Sequence, residues 1–286
     1  MSDTRDNVSA PATRDNAAGT AQAAPPTLTI TIDGIECTCE KGEYLYDVAR
    51  RNGIFIPALC RHDAFDDHRA CCRICIVEVE TRGRTKVVTS CVYPVEGPCE
   101  VRTNTPRILE ERAVLYALLE HRAPDAEAVL AEQRQAQGID MDGFERLVAV
   151  EGEKCILCGL CVQACDSLGT GAISTVMRGT EKKVSTPYDA PSEFCVGCAS
   201  CAAVCPTGAI ACTQTATERT IWNRTFELAL CEECGRPMGT QAAVRYTAEH
   251  AGGADTHDAP HDAPCICDAC RKKRLADEMM QTYRYV

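Results

Sequence analysis

The stretches Cys155-Ile-Leu-Cys158-Gly-Leu-Cys161-Val-Gln-Ala-Cys165 and Cys195-Val-Gly-Cys198-Ala-Ser-Cys201-Ala-Ala-Val-Cys205-Pro206 carry one pattern, C-x2-C-x2-C-x3-C. That run holds cubane iron–sulfur clusters. Three closely spaced thiolates reach three iron corners of one cube from a tight loop, and the fourth, carried onto a helix, reaches across to the other cube. The spacing assigns Cys155, Cys158, Cys161 and Cys205 to one [4Fe–4S] site, and Cys195, Cys198, Cys201 and Cys165 to its neighbour. The halves repeat beyond the cysteines, since Gly171-Ala172-Ile173 answers Gly208-Ala209-Ile210. The first half has three extra residues after Cys165, and Asp166 where the second has Pro206.

Zinc and disulfides explain this pattern less well. Zinc modules use pairs of C-x2-C, often with His, and give no reason for two evenly spaced quartets. Disulfides need an exported chain, and the N-terminus lacks the apolar core of a signal peptide. With 22 cysteines and no export signal, the expected compartment is the reducing cytoplasm, where thiols serve metals. No apolar run is long enough to span a bilayer. A formal charge of −11 argues against nucleic-acid partners, which need a basic face. There is no Gly-x-Gly-x-x-Gly fingerprint and no phosphate loop, so nucleotide chemistry is expected on a partner.

Residues 1–26, rich in Ala, Thr, Asp and Asn, read as a disordered lead-in. Residues 27–104 read as a first domain. Thr27–Ile32 alternates polar and apolar, Asp33-Gly34 turns, and Ile35–Cys39 returns as a hairpin. Cys37 and Cys39 fall on one face of the returning strand and read as core packing. Tyr44–Asn52 has helical spacing and stops at Gly53. A cysteine loop follows, with Cys60, Cys71, Cys72 and Cys75, then the strand Ile76–Glu80 and the return Lys86–Ser90 ending at Cys91. Hairpin, helix, cysteine loop and strands are the order of a β-grasp ferredoxin with a [2Fe–2S] cluster, although eleven residues separate Cys60 from Cys72, a longer gap than the plant type has. Five cysteines compete for four places. Cys72 forms the C-x2-C bite with Cys75, so Cys60, Cys72, Cys75 and Cys91 are the expected ligands and Cys71 a spectator.

The segment 105–150 reads as a helical linker, capped by Thr105 with Pro106 at its first position. Residues 151–215 form the bacterial-type two-[4Fe–4S] ferredoxin unit, with Thr175–Ser192 as a polar loop or hairpin between its halves and Cys212 as core. Thr220–Leu230 reads as a strand leaving it. The extension 216–286 carries Cys231-Glu-Glu-Cys234-Gly235 and Cys265-Ile-Cys267-Asp-Ala-Cys270. Cys231, Cys234, Cys267 and Cys270 suit a tetrahedral four-thiolate metal site, with zinc expected and an additional iron centre as the rival. His257 and His261, in a loop rich in Asp, Gly and Pro, read as solvated. The fold class is α+β throughout.

Three segments resemble a known family: Ile56-Pro57-Ala-Leu-Cys60, Cys72-Arg-Ile-Cys75-Ile-Val-Glu-Val, and Thr89-Ser-Cys91-Val-Tyr-Pro-Val-Glu-Gly. They are similar to the N-terminal region of the large iron–sulfur subunit of complex I, the diaphorase iron–sulfur subunit of NAD-linked nickel–iron hydrogenases, and NAD-linked formate dehydrogenases. The run from Lys154 to Asp166, including Asp in place of Pro, resembles that family's second module. The resemblance implies an electron-relay subunit between a flavoprotein that oxidises NAD(P)H and a hydrogenase or formate dehydrogenase catalytic subunit. The alternative is the iron–sulfur subunit of a reductase serving an organic acceptor or a quinone-linked membrane enzyme. In one respect the chain departs from the family. The His-and-three-Cys motif usual between the modules is missing, since no cysteine lies between Glu100 and Lys154, and His121 reads as an ordinary helix-end residue. No general acid, base or nucleophile is assignable.

Overall fold

The computed structural model describes residues 27–66, 68–139, 141, 152–250 and 265–283. The expectations for residues 1–26 and for His257 and His261 fall outside them. Strand β1 (Thr27–Ile32) and strand β2 (Ile35–Glu40) pair in the expected hairpin, with Asp33 and Gly34 both at positive φ. That is the handedness a two-residue turn needs to match strand twist. Helix α1 (Leu45–Arg51) buries Leu45, Val48 and Ala49. Beyond the cysteine loop come β3 (Ile76–Thr81), β4 (Arg84–Thr89) and β5 (Glu100–Arg102). The sheet order is β2-β1-β5-β3-β4, with β1 and β5 parallel and the other pairs antiparallel. Ile30, Ile32, Val77, Val79 and Val101 pack under α1 and seal this β-grasp core.

Helix α2 (Pro106–Arg122) begins as expected, with the Thr105 hydroxyl accepting from the Ile108 N–H at 3.3 Å. Helix α3 (Glu127–Gln135) packs back on it. Their apolar faces form a second core in which Ala113, Tyr116 and Leu130 meet Leu59 and Ile74 of the first domain and Ile156 and Leu160 of the next. The linker thus cements the two cysteine-bearing units together.

The dicluster unit holds α4 (Leu160–Ser167), a small hairpin of β6 (Ser174–Val176) and β7 (Lys183–Ser185), and α5 (Ser200–Ala203). Asp166 lets α4 continue past Cys165, whereas Pro206 cannot extend a helix, and α5 ends three residues before it. A four-stranded antiparallel sheet then follows: β8 (Cys212–Gln214), β9 (Glu218–Ile221), β10 (Arg224–Leu230) and β11 (Pro237–Thr240), in the order β11-β10-β9-β8. Thr220–Leu230 is therefore not one strand. It breaks at Trp222-Asn223, which makes a two-residue turn at positive φ, and the chain reverses. Helix α6 (Gln241–His250) and helix α7 (Asp268–Tyr283) complete the described chain.

Candidate metal centres

The cysteine loop and the turn after β4 bring four thiols of the first domain together. The thiols of Cys72 and Cys91 act on that of Cys60, and the thiol of Cys91 on that of Cys75. All four are buried, while Cys71 is exposed, its thiol against the Arg69 carbonyl at 3.5 Å. The turn that carries Cys91 is fixed by Ser90, whose buried hydroxyl donates to the Cys75 carbonyl at 2.7 Å. The Cys60 thiol is held far below its usual pKa by hydrogen bonds from the Cys72 and Cys91 thiols, helped by the backbone N–H groups of Cys72 and Cys71. Cys72 and Cys91 are pushed up in turn, chiefly by those same bonds to Cys60. The site favours thiolates at Cys60 and Cys75, the latter lowered to about 7 chiefly by its bond from Cys91, and resists them at Cys72 and Cys91. Only a cation among the sulfurs removes that repulsion, so the donor set fits a metal cluster.

One buried cation already lies beside this loop. Arg112 of α2 is fully buried and donates to the Asn104 side chain (2.9 Å), the Gln137 side chain (3.0 Å) and the carbonyl of Ile76, next to Cys75 (2.7 Å). Burial lowers its pKa to about 10, opposed by the negative character of Tyr116 and Cys75.

In the dicluster unit the repeat is visible in the backbone. Leu157 and Gly159 are left-handed in the first half, and Gly197 and Ala199 match them in the second. These turns aim N–H groups at sulfur. The Leu157 N–H meets Cys155 Sγ at 3.4 Å, and the Gly197 N–H meets Cys195. The echo extends to the glycine tripeptides: Ala172 N–H meets Cys165 Sγ at 3.2 Å, and Ala209 N–H meets Cys205 Sγ at 3.3 Å. Thr170 and Thr207 likewise set hydroxyls 3.1 and 3.7 Å from those two sulfurs.

The halves interlock. Cys155, Cys158, Cys161 and Cys205 line one cavity, and Cys165, Cys195, Cys198 and Cys201 line another, so each half lends its last cysteine to the other. Burial pushes the Cys158 and Cys161 thiols up to about 12 and Cys201 to about 11. Cysteines so buried yet ringed by N–H donors fit thiolates whose charge a bound cluster neutralises. The [2Fe–2S]-type site adjoins the first cavity, since Cys60, Cys72 and Cys158 share one packed core.

The loop of Cys195 and Cys198 is gripped by the following sheet, which sequence reasoning gave no role. Arg224 donates to the carbonyls of Ser192 (2.8 Å), Glu193 (3.0 Å) and Cys195 (3.0 Å). Arg219 donates to those of Gly197 (2.9 Å) and Cys198 (3.2 Å). The Phe226 ring packs so closely on Gly197 that a Cβ there would lie 2.6 Å from it.

In the tail, the sulfurs of Cys231, Cys234, Cys267 and Cys270 lie within 4.8 Å of one another. Cys265 stands apart, its sulfur 3.7 Å from that of Met238. The Cys267 N–H donates to Cys231 Sγ at 3.3 Å and, as the main cause, lowers that thiol to about 6.

Comparison with known proteins accords with this geometry. Residues 26–106 match the 2Fe-2S iron–sulfur cluster binding domain, and residues 154–209 the 4Fe-4S dicluster domain. The chain is 31% identical over 210 residues to the NADP-reducing hydrogenase subunit HndD of Solidesulfovibrio fructosivorans, which covers 64% of this chain and 36% of that one. It is 27% identical over 228 residues to the NAD-reducing hydrogenase HoxS subunit gamma of Cupriavidus necator, covering 70% of this chain and 93% of that one. The fold is similar to a chain of the NAD+-reducing [NiFe]-hydrogenase in its H2-reduced state, with a TM-score of 0.53 and 24% identity over 64% of this chain and 86% of that one. The chain spans about a third of the length of the first curated relatives it matches. The chain thus joins a 2Fe-2S cluster binding domain to a 4Fe-4S dicluster domain, and the proteins it is similar to include subunits of NAD- and NADP-reducing hydrogenases and of NADH-quinone oxidoreductases.

Proposed function

We propose that this chain is the electron-relay subunit of an oxidoreductase complex, working between a flavoprotein that handles NAD(H) or NADP(H) and a catalytic subunit of hydrogenase or formate dehydrogenase type. In this reading Cys60, Cys72, Cys75 and Cys91 hold a [2Fe–2S] cluster. Cys155, Cys158, Cys161 and Cys205 hold one [4Fe–4S] cluster, and Cys165, Cys195, Cys198 and Cys201 the other. When bound, such clusters supply one-electron carriers whose potentials the surrounding hydrogen bonds set. The chain's own part is to present thiolates at fixed spacing, turn backbone N–H groups onto their sulfurs and keep water away with an apolar wall. The observation that carries the reading is the continuity of the sites: Cys60 and Cys158 share a packed core, and the two dicluster cavities share a wall.

The tail site is a separate proposal. A tetrahedral zinc–thiolate centre with bonds of about 2.3 Å sets its sulfurs about 3.8 Å apart. Cys234 and Cys267 sulfurs are 3.7 Å apart and the whole quartet lies within 4.8 Å, which favours one metal ion over a multi-iron cluster. Zinc there pins the extension and takes no part in the relay. A cytoplasmic location belongs to the same reading; no described helix is long and apolar enough to cross a membrane.

The test is anaerobic purification with iron and sulfide analysis and low-temperature paramagnetic resonance. The expected result is about ten irons per chain, two plus four plus four, giving one [2Fe–2S] and two [4Fe–4S] signals. A single cluster, or zinc filling the twelve thiolates, would sink the relay. Co-purified subunits without flavin would overturn the partner assignment.

A further inference from the structure

Trp222, the single tryptophan of the chain, has no role in the motifs yet stands between the two dicluster cavities. It lines the cavity of Cys165, Cys195, Cys198 and Cys201, and also that of Cys155, Cys158, Cys161 and Cys205. Its backbone is left-handed, at φ 52°, a conformation that a bulky side chain rarely adopts and that a hairpin turn normally gives to Gly, Asn or Asp. The fold holds it there. Ile221 is buried before it, Asn223 completes the turn, and Arg219 and Arg224, at either side of the turn, are bonded to the carbonyls of the cysteine loop.

The indole Nε1 is buried and has no hydrogen-bond partner, sulfur included. A buried donor left alone is costly, and the indole lines the same cavity as the sulfur of Cys201, whose thiol burial raises and the indole pulls partly back. Position for position, Cys201 corresponds to Cys161 in the first half. The backbone donors of the two halves echo each other, as the paired contacts to Cys155 and Cys195, and to Cys165 and Cys205, illustrate. Cys161 is raised by burial and neighbouring sulfurs and lowered by the Val162 N–H, and the chain has no second tryptophan to serve it as a counterpart of Trp222. Trp222 therefore breaks the symmetry of an otherwise repeated device.

We propose that Trp222 is a tuning residue: its indole N–H donates to the Cys201 thiolate and raises the reduction potential of the second cubane site above that of the first, while its ring keeps water out of the wall between them. Donation to a cluster sulfur favours the more negative, reduced state. The positive charges of Arg219 and Arg224 on the same loop act in the same direction. This rests on the two-cubane reading above, and the experiment separates the two.

The anaerobic full-length chain carrying 15N-indole tryptophan is examined first, because its only tryptophan makes the label a single probe. Pulsed paramagnetic resonance should show a 15N coupling, and an exchangeable proton lost in deuterated buffer, on one [4Fe–4S] signal only. Cys201→Ser, which alters that signal, identifies it as the second site. Trp222→Phe is then titrated electrochemically. The expected result is about a tenfold shift of the one-electron equilibrium, about 59 mV downward, at the coupled centre, with the other [4Fe–4S] centre unmoved. Two [4Fe–4S] signals with no 15N coupling, or with both potentials moving together, overturn the assignment to Trp222 and leave the dicluster intact. Fewer than two such signals in the wild-type chain overturn the two-cubane reading itself. If Trp222→Phe fails to load iron, the labelled wild-type chain still decides the case.

Discussion

Cys71 and Cys72 are neighbours in sequence with opposite surroundings, one exposed and one buried against Cys60. Cys72→Ser should abolish the [2Fe–2S] signal and leave both cubane signals, whereas Cys71→Ser should leave all of them. Loss of that signal in Cys71→Ser alone would shift the register by one residue. The burial of Cys72 rather than Cys71 agrees with the sequence, in which only Cys72 forms the C-x2-C bite with Cys75. The burial of Arg112 was not legible there. In sequence it is one more charge on a helix that already carries Arg107, Glu110 and Glu111, and only the tertiary structure buries it among three acceptors. A buried guanidinium is expensive unless an anion stands near, and the thiolates of the adjoining site would supply that charge. Arg112→Met should cost about 3 kcal/mol, since it leaves the Ile76 carbonyl and two side-chain oxygens unpaired. Arg112→Lys should not rescue it, because an ammonium cannot reproduce the planar fork. Denaturant midpoints of the loaded chain measure both, and a wild-type midpoint in either variant would refute the account.

At the scale of elements, the first hairpin, α1 and the start of α2 were legible because each carries a local signal: alternation closed by Asp33-Gly34, helical spacing, and a Thr–Pro cap. The β9–β10 hairpin was hidden because its turn contains no Gly, and Trp222 continues the apolar alternation of a single strand. What makes it a turn is long-range, namely the grip of its arginines on a loop roughly thirty residues away, as the contact of Arg224 with Cys195 shows. The hairpin is thus a clasp on the second half of the dicluster unit, and its removal should be felt there alone. Arg224→Ala frees three carbonyls of that loop, at Ser192, Glu193 and Cys195. With an iron chelator present, this variant should lose about four of its ten irons several-fold faster than wild type, while the [2Fe–2S] and first cubane signals persist. Uniform loss from every site would mean that the clasp stabilises the whole chain instead.

Across the whole molecule, the sites form a connected series from the β-grasp sheet to the second dicluster cavity, with the α2–α3 core binding its first two parts together. The tail is tied to this body at both halves of the repeat. Thr240 at the end of β11 hydrogen-bonds the Val196 carbonyl, and Tyr246 of α6 donates to the Leu168 carbonyl at 3.0 Å. The thiolate quartet closes the same unit. Glu232 N–H reaches the Cys265 carbonyl, and Cys265 N–H returns to the Glu232 carboxylate, both at 2.9 Å, so the end of β10 and the start of α7 are stitched around the four sulfurs. The sequence showed the two cysteine pairs but not what they fasten, because the contacts of Thr240 and Tyr246 are long-range. In the proposed reading a metal held here would have a mechanical task, for which a redox-silent ion suffices. An X-ray absorption edge scan should find about one zinc per chain with sulfur neighbours at about 2.3 Å. Stripping that zinc with a thiol-reactive chelator should leave the three iron–sulfur signals in place while the tail becomes accessible to protease. Iron in excess of about ten atoms with no zinc edge would instead make the quartet a further station of the relay.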